Sequence, residues 1–303
     1  MQRQRGIILS IGLYLLSIGL YLALCFALAG NAAAAEAIDF YRAESPHGRV
    51  SFFYPSFHVA DDRITRPPVA VLDTMTQLVI EADIGELQKH PETMAHYVVS
   101  PTPLDLAALF TPAEIEVFRA RAACNGVNGH IERLRPFFVG MMVAMPCPKP
   151  GGVLYELVLE QAAQARGLKI TALESADEEF AALYALPDRA FIDEIRKYAD
   201  APDAGAEMVA RMVALYNDSN YGALYDLSLA DLPKDAGDRR LFMDKVILDR
   251  NRAMVERMSP ALAEGGALVI VGALHLPGKD GIIELLQRRG FKVSMVKAQP
   301  GLR

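Results

Sequence analysis

The sequence predicts an α/β domain, with α+β as the alternative, in which a central mixed sheet is flanked by helices and carries helix-rich cap insertions. First, short apolar segments of strand length alternate with longer segments of helical periodicity. Second, no internal repeat and no low-complexity tract follows the N-terminal segment. Third, a chain of 303 residues can bury a large core without disulfide or metal support.

Residues 1–35 have the order of a secretory signal peptide. Arg3 and Arg5 precede an uncharged apolar run, Ile7–Gly30, and small residues follow at Ala32–Ala35. The run is 24 residues long, which is enough to span a bilayer, so an uncleaved inner-membrane anchor is the alternative. We therefore expect an exported protein, periplasmic or secreted, in which residues 36–303 form a single domain.

The charge balance excludes several classes of protein. Without residues 1–35 the chain has 29 Lys and Arg against 37 Asp and Glu, a net charge of −8. Nucleic-acid binding needs a cationic surface, so we expect no nucleic-acid partner. No later apolar run is long enough to cross a membrane, which leaves the N-terminal segment as the predicted membrane contact. The common motifs of serine hydrolases, P-loop proteins, zincins and dinucleotide-binding proteins are absent from the sequence.

Five short apolar segments are predicted strands of one sheet. They are Arg49–Phe57, Gln77–Ile84, Leu168–Leu173, Ala267–Val271 and Phe291–Val296. Between them, Thr111 and Pro112 form a helix start signal, and that helix is predicted to end at Asn125. Further helices are predicted over Ile131–Met145, Val153–Arg166, Ala206–Tyr216, Asp238–Met258 and Gly281–Arg289. The helix-rich regions 105–150 and 176–260 are the predicted caps.

Two cysteines, Cys124 and Cys147, lie beyond the leader. In an oxidising compartment they can pair, which would stabilise the fold by roughly 2–4 kcal/mol. The alternative is that both are small buried apolar side chains. The sequence leaves both alternatives open.

Histidines and carboxylates at the ends of predicted strands are the candidate site residues. His58 and His275 each follow a strand, where α/β folds place their ligand sites. Glu81 lies within an apolar strand and Glu174 ends another, and a buried carboxylate requires a cation. Imidazole and carboxylate donors suit Zn²⁺, Mn²⁺ or Co²⁺. The alternative is that each glutamate pairs with an arginine, for which Arg250 is the obvious candidate.

Four segments resemble the TraB/GumN family, which includes the TIKI metalloproteases. Residues 271–278 (VGALHLPG), with the helix and strand that follow, resemble the family's C-terminal G-x-x-H signature. Three further segments occur in the family's order. They are Ser56–Val59 followed by Leu78–Glu81, then Gly167–Glu174, then Asp249–Asn251. The resemblance covers residues 48 to 297.

The resemblance implies an α/β domain in which the two histidines of the G-x-x-H motifs meet, and a Mn²⁺- or Co²⁺-dependent proteolytic activity in the TIKI branch. From the residue types and the resemblance together, we expect His58, Glu81 and His275 to be metal ligands and Glu174 to be a further ligand or a general base. Arg250 and Asn251 would steady a carboxylate or the developing oxyanion. The expected function is thus an exported metal-dependent hydrolase acting on a peptide or small-molecule substrate.

One position departs from the family pattern. The first motif has Pro55 where the family has glycine, and proline fixes φ and lacks an N–H group, so this segment cannot copy a glycine turn. The departure motivates an alternative function, a non-catalytic envelope protein of the same fold that sequesters a peptide or a haem-like ligand. In a third alternative His58 and His275 are purely structural and lie far apart.

Overall fold

The computed structural model describes residues 38–83, 91–127, 129–147, 154–298 and 302. The predicted signal peptide or anchor, residues 1–35, lies outside the described residues. Among the helices that are described, none combines the length and the apolar character needed to cross a bilayer.

A six-stranded mixed sheet forms the centre of the fold, which confirms the predicted fold class. Its strands are Asp39–Glu44 (β1), Val50–Ser56 (β2), Gln77–Ala82 (β3), Lys169–Glu174 (β4), Ala267–Gly272 (β5) and Lys292–Lys297 (β6). Their order across the sheet is β4-β3-β5-β2-β1-β6. The four strands β4, β3, β5 and β2 are parallel, whereas β1 is antiparallel to both of its neighbours, β2 and β6.

The five predicted strands are all present, and β1 is the strand that the sequence analysis missed. β1 begins at Asp39 and pairs with both β2 and β6, with Tyr41 opposite Phe53 on one side and Met295 on the other. Its two buried residues, Phe40 and Ala43, are three positions apart and so lie on opposite faces of the strand. Ala43 belongs to the apolar cluster that contains Met254, whereas Phe40 stacks on Tyr54.

The described residues form twelve α-helices. They are Pro91–Val98 (α1), Leu106–Leu109 (α2), Pro112–Cys124 (α3), Pro136–Ala144 (α4), Tyr155–Ala165 (α5), Ala176–Tyr184 (α6), Arg189–Asp200 (α7), Pro202–Asn217 (α8), Tyr221–Ala230 (α9), Ala236–Phe242 (α10), Asp249–Glu264 (α11) and Ile282–Arg288 (α12). The predicted start of α3 is confirmed, because Thr111 and Glu114 form a capping box. Its predicted end is confirmed too, since Asn125 is the C-terminal cap.

The chain divides into two compact units. The sheet unit comprises Ala33–Ile84, Gly152–Ala185 and Met212–Arg303 and contains all six strands. The helical unit comprises Gly85–Gly151 and Leu186–Arg211. Its two segments are insertions between elements of the sheet unit. The predicted cap over residues 105–150 falls in the helical unit, whereas of the predicted cap over residues 176–260 only Leu186–Arg211 does and the rest belongs to the sheet unit.

Helices cover both faces of the sheet. On one face Val79 and Val269 belong to an apolar cluster with Met254 and Met258 of α11. On the other face Tyr54 makes an edge-on aromatic contact with Tyr155 of α5. Every residue of β5 is buried, as expected for a central parallel strand covered on both sides.

Pro55 is accommodated inside β2. The pairing of β2 with β1 ends at Phe53, so Pro55 has a ladder neighbour on one side only, Val271 of β5. Its carbonyl oxygen accepts a hydrogen bond from the hydroxyl of Tyr216 at 2.8 Å. A proline without an N–H group is tolerated where one side of a strand is unpaired, and β2 continues to Ser56.

The helical unit has its own core and one disulfide bond. Phe118, Ile131, Val143 and Ile195 belong to its buried apolar cluster. Cys124, at the end of α3, is bonded to Cys147, and their Cα atoms are 5.5 Å apart. Of the two alternatives left open by the sequence, the structure therefore shows the disulfide.

Candidate metal and hydrolase site

The candidate site lies at the carboxyl end of the parallel strands. Glu81 is the fifth residue of β3, Glu174 is the last residue of β4 and Gly272 is the last residue of β5. His58 follows β2 and His275 follows β5. Because parallel strands end at the same edge of a sheet, the fold brings together residues that are far apart in the sequence. Open α/β sheets bind their ligands at this edge.

Glu81 is the common partner at the centre of the site and is 8% exposed. Its Oε2 accepts a hydrogen bond from the backbone N–H of Gly272 at 2.6 Å, and its Oε1 accepts one from Nη2 of Arg250 at 2.6 Å. Nε2 of His275 lies 3.5 Å from Oε1, and Nε2 of His58 lies 3.8 Å from Oε2. The two histidines thus lie together, each with Nε2 towards the same carboxylate.

The space beside Gly272 is tightly surrounded by side chains of the site. The φ of Gly272 is −52°, which is accessible to any residue, but a Cβ atom would lie 3.2 Å from Nε2 of His58, 3.3 Å from Oε2 of Glu81 and 3.4 Å from Cδ2 of His275. The three candidate ligands therefore surround the one position that a side chain at residue 272 would fill.

Asn251 of α11 fixes the orientation of His275. Both residues are buried. The Asn251 amide donates from Nδ2 to the carbonyl oxygen of Asp280 at 3.0 Å, which leaves its Oδ1 as an acceptor for Nδ1 of His275 at 2.7 Å. The bond to Asp280 fixes which end of the amide is the NH₂ group, so Oδ1 can only accept a hydrogen bond from His275. In a neutral His275 the proton is therefore on Nδ1. The lone pair of Nε2 then points towards Glu81.

Glu156 is a site residue that the sequence analysis missed. It lies in the first turn of α5 and is buried, and its Oε1 is 2.9 Å from Nδ1 of His58. Burial raises the pKa of the Glu156 carboxyl, but the contact with His58 outweighs this effect and lowers the pKa below its usual value. The sequence does carry a signal for a buried carboxylate here. Glu156 lies in the apolar segment YELVLEQAA, and the apolar side of such a helix normally faces the core.

Arg250 links the two predicted carboxylates. Its Nε donates to both oxygens of Glu174 at 3.0 Å, and its Nη2 contacts Oε1 of Glu174 as well as Glu81. Arg250 and Glu174 are both buried. The arginine pairing that the sequence analysis held as an alternative is therefore present together with the histidine cluster. The role of Glu174 as a ligand or general base stays a prediction.

A π-helix, Met243–Leu248, immediately precedes α11 and sets the register of Arg250 and Asn251. Nη1 of Arg250 donates to the carbonyl oxygen of Val246 within this segment at 3.3 Å. π-Helical turns are rare and are frequent at functional sites. The sequence predicts one continuous helix over Asp238–Met258, whereas the structure has two helices joined by the π-helix.

Glu81, Glu174 and Glu179 offer carboxylate oxygens within 4.8 Å of one another. This acidic group is not an open cation site, because the guanidinium of Arg250 already contacts all three, with Nη2 3.8 Å from Oε1 of Glu179. A metal ion at this point would be repelled by the arginine. The open face of Glu81 is the one towards the histidines.

The pKa shifts follow from these contacts. Burial raises the pKa of Glu81, but the interactions with His275 and His58 outweigh it and hold the pKa well below its usual range. The crowded surroundings lower the pKa of His58, and the carboxylates of Glu156 and Glu81 outweigh this effect and raise it. For Glu179, burial and the charge of Glu81 both raise the pKa.

The donor types of the three predicted ligands suit a divalent cation, but their atoms are not gathered around one point. Nε2 of His275 is 3.5 Å from Oε1 of Glu81, and Nε2 of His58 is 3.8 Å from the other oxygen, Oε2. The described residues whose donor atoms all lie within 4.8 Å of one another are Glu81, Glu174 and Glu179, and the two histidines are not among them. Ligands of one tetrahedral ion are about 3.4 Å apart, so a bound cation would have to draw the imidazoles closer together. Two neutral imidazoles and one carboxylate are the donor set of many catalytic zinc sites and also suit Mn²⁺ and Co²⁺.

Comparison with protein families identifies one match. The model of the TraB/PrgY/gumN family matches residues 40–295, which include every strand residue except Asp39, Val296 and Lys297 and all of the candidate site residues. No curated protein and no solved structure matches the chain. Since the family match extends over most of its length, the chain belongs to the TraB/PrgY/gumN family.

Proposed function

We propose that this protein is an exported metal-dependent hydrolase that acts on peptides, with one divalent cation held by His58, Glu81 and His275. One observation carries the proposal. Two imidazole Nε2 atoms face the two oxygens of a single buried carboxylate, at 3.5 Å and 3.8 Å. The carboxylates of Glu156 and Glu81 raise the pKa of His58, so a proton supplies positive charge beside Glu81, and a divalent cation bound by both imidazoles would take its place.

The cation, when bound, would polarise the scissile carbonyl group and lower the pKa of a bound water molecule. The residues of the chain hold the ligands in place. Asn251 keeps the proton of His275 on Nδ1, and Gly272 binds Glu81 through its N–H and leaves the space beside it free. The family resemblance favours Mn²⁺ or Co²⁺, and Zn²⁺ suits the same donors.

Arg250 and Glu174 form the supporting pair in this proposal. Arg250 donates to Glu81 from a guanidinium that Glu174 holds through two oxygens. A fixed positive charge behind Glu81 keeps that carboxylate ionised and therefore able to bind a metal. It also offers a charge towards which a substrate carboxylate or an oxyanion could be oriented.

Metal analysis of the purified protein tests the proposal. The protein is refilled separately with Mn²⁺, Co²⁺ and Zn²⁺, desalted and analysed beside His275→Ala and the control His130→Ala. His130 is exposed and pairs with Glu132 in the helical unit. We expect about one metal ion per chain in the wild type and the control and none in His275→Ala. A wild type that retains no metal under any of these conditions would overturn the proposal.

Peptide cleavage separates the enzyme from the alternative binding protein. Turnover of a peptide library in the presence of Mn²⁺, abolished by a chelator and by His58→Ala, is the result expected for a hydrolase. Stoichiometric binding of a peptide or of haem without turnover would instead support the sequestering protein. Export is tested separately by determining the N-terminus of the protein recovered from the periplasm or the medium, which we expect to follow Ala35.

A further inference from the structure

The first histidine of the site is held differently from the second. His58 lies outside the strands, two residues beyond the end of β2, and 46% of its side chain is exposed. His275 is 5% exposed and is fixed by a buried asparagine. A solvent-exposed imidazole loses its orientation unless a second group holds its other nitrogen. The group at that nitrogen of His58 is Glu156.

Glu156 is a buried carboxylate whose surroundings leave His58 as its charged partner. Besides His58, its polar neighbours include the Ser56 side chain and its own backbone N–H, neither of which is charged. Its Oε1 is 2.9 Å from Nδ1 of His58, which is within ion-pair distance. An ionised carboxylate that is 7% exposed requires such a partner. Its position in the first turn of α5 adds the favourable end of the helix dipole.

The two histidines have matching surroundings. Each presents Nε2 to Glu81 and Nδ1 to a side chain of a helix, which is Asn251 of α11 for His275 and Glu156 of α5 for His58. These two helices are anchored on opposite faces of the sheet. The imidazoles are thus held from both sides of the strand ends, and the exposed one has the charged partner.

We propose that Glu156 is the positioning residue of His58: its carboxylate keeps the proton on Nδ1 and thereby presents Nε2 towards Glu81 as a ligand atom. The inference rests on the proposed metal site. Carboxylate partners of ligating histidines fix the tautomer and the direction of the ring, and their loss weakens metal binding by about 10–100-fold. Glu156 itself does not bind the metal in this proposal.

Three variants of the full chain test the proposal. Glu156→Leu removes both the charge and the acceptor, whereas Glu156→Gln keeps an acceptor oxygen of the kind that Asn251 offers to His275. Glu160→Leu is the matched control, because Glu160 is also buried and lies one turn further along α5, where it accepts a hydrogen bond from Gln164 at 3.1 Å. Thermal unfolding confirms that each variant is folded.

The first measurement is made without metal. Nitrogen-15 NMR of the histidine rings, assigned with His58→Ala and recorded at a pH above the raised pKa of His58, shows which nitrogen carries the proton in the neutral ring of this residue. We expect Nδ1 to be protonated in the wild type, in Glu156→Gln and in Glu160→Leu, and the proton to move to Nε2 in Glu156→Leu. An unchanged Nδ1 proton in Glu156→Leu would overturn the proposal.

The second measurement is the dissociation constant for Co²⁺ or Zn²⁺ by titration calorimetry. We expect Glu156→Leu to bind about 10–100-fold more weakly than the wild type and Glu156→Gln and Glu160→Leu to stay within about threefold. Equal losses in Glu156→Leu and Glu160→Leu would mean that the helix, and not this carboxylate, is responsible. If the wild type binds no metal, the proposed function fails, while the NMR result still decides whether Glu156 orients His58.

Discussion

At Gly272 we expect the addition of one methyl group to impair function without impairing folding. A Cβ atom there would crowd Nε2 of His58 and Oε2 of Glu81 at 3.2 Å and 3.3 Å, although the backbone angles suit alanine. We predict that Gly272→Ala keeps a melting temperature close to that of the wild type but loses metal binding and peptide turnover by at least about tenfold.

Gly222→Ala is the control for this variant. Gly222 is in α9, and a Cβ atom there would meet nothing within 4 Å, so alanine should stabilise the protein by about 0.5–1 kcal/mol and leave activity unchanged. Normal metal affinity in Gly272→Ala would show that the ligands do not converge beside this residue.

Arg250 is expected to be the most sensitive charged residue of the site. Arg250→Leu would leave Glu81 and Glu174 buried without their cation, which costs about 3–5 kcal/mol at neutral pH. Arg252→Leu is the control, because Arg252 is 54% exposed and pairs with the surface residue Asp249. Its loss should change the free energy of unfolding by less than about 1 kcal/mol.

The pH dependence at Glu81 has a definite sign. His275 and His58 outweigh burial and hold the pKa of this carboxyl well below its usual range, so its contribution to stability is present above the unfolded pKa and is lost as the pH falls through the lowered pKa. Both histidines remain in Arg250→Leu, so we expect the variant to lose stability over the same acidic range as the wild type. Urea unfolding of both proteins between about pH 7 and pH 3 measures the two curves, and a variant that gains stability as the pH falls would contradict this expectation.

At the scale of helices and strands, stability can be tested at the disulfide that joins the end of α3 to the segment after α4. It closes a loop with a sequence separation of 23 residues, for which loop entropy predicts about 3 kcal/mol. We predict that Cys124→Ser/Cys147→Ser lowers the unfolding free energy by this amount and makes stability insensitive to reductant. The wild type should lose a similar amount when reduced. No difference between reduced and oxidised wild type would contradict the prediction.

Local patterns predicted most of the elements, because each depends on residues close together in the sequence. The capping box at Thr111 and the apolar run of β5 are examples. The π-helix before Arg250 escaped prediction, since its wider turn is stabilised by tertiary contacts and leaves the periodicity of residues 238–258 almost unchanged. β1 escaped because its six residues, DFYRAE, include three charged side chains and show no regular alternation of apolar and polar residues.

The site was predictable where a residue type was unusual for its place. Glu81 in an apolar strand and His275 after one are such cases, and the structure brings them within 3.5 Å. Glu156 was missed because nothing in the sequence shows that its helix places it beside His58, which is 98 positions earlier. Contacts of this kind depend on the order of the strands and helices in space and not on local pattern.

Across the chain as a whole, the acidic balance and the division into two units have separate consequences. The sheet unit holds every candidate ligand, and the helical unit contributes its own core and the disulfide. The net charge of −6 for the full sequence favours cationic ligands over anionic ones. This agrees with the proposed divalent cation, which the metal analysis described above tests.

The strand order also determines when the site can exist. β5 is the fifth strand to be synthesised, yet it lies between β2 and β3, which are not neighbours without it. His58 and Glu81 belong to these two strands, and His275 arrives only with β5 itself. A nascent chain that has not reached residue 267 therefore has no assembled ligand set. The proposed metal site would form only after β5 and His275 have been synthesised, when most of the chain has already emerged.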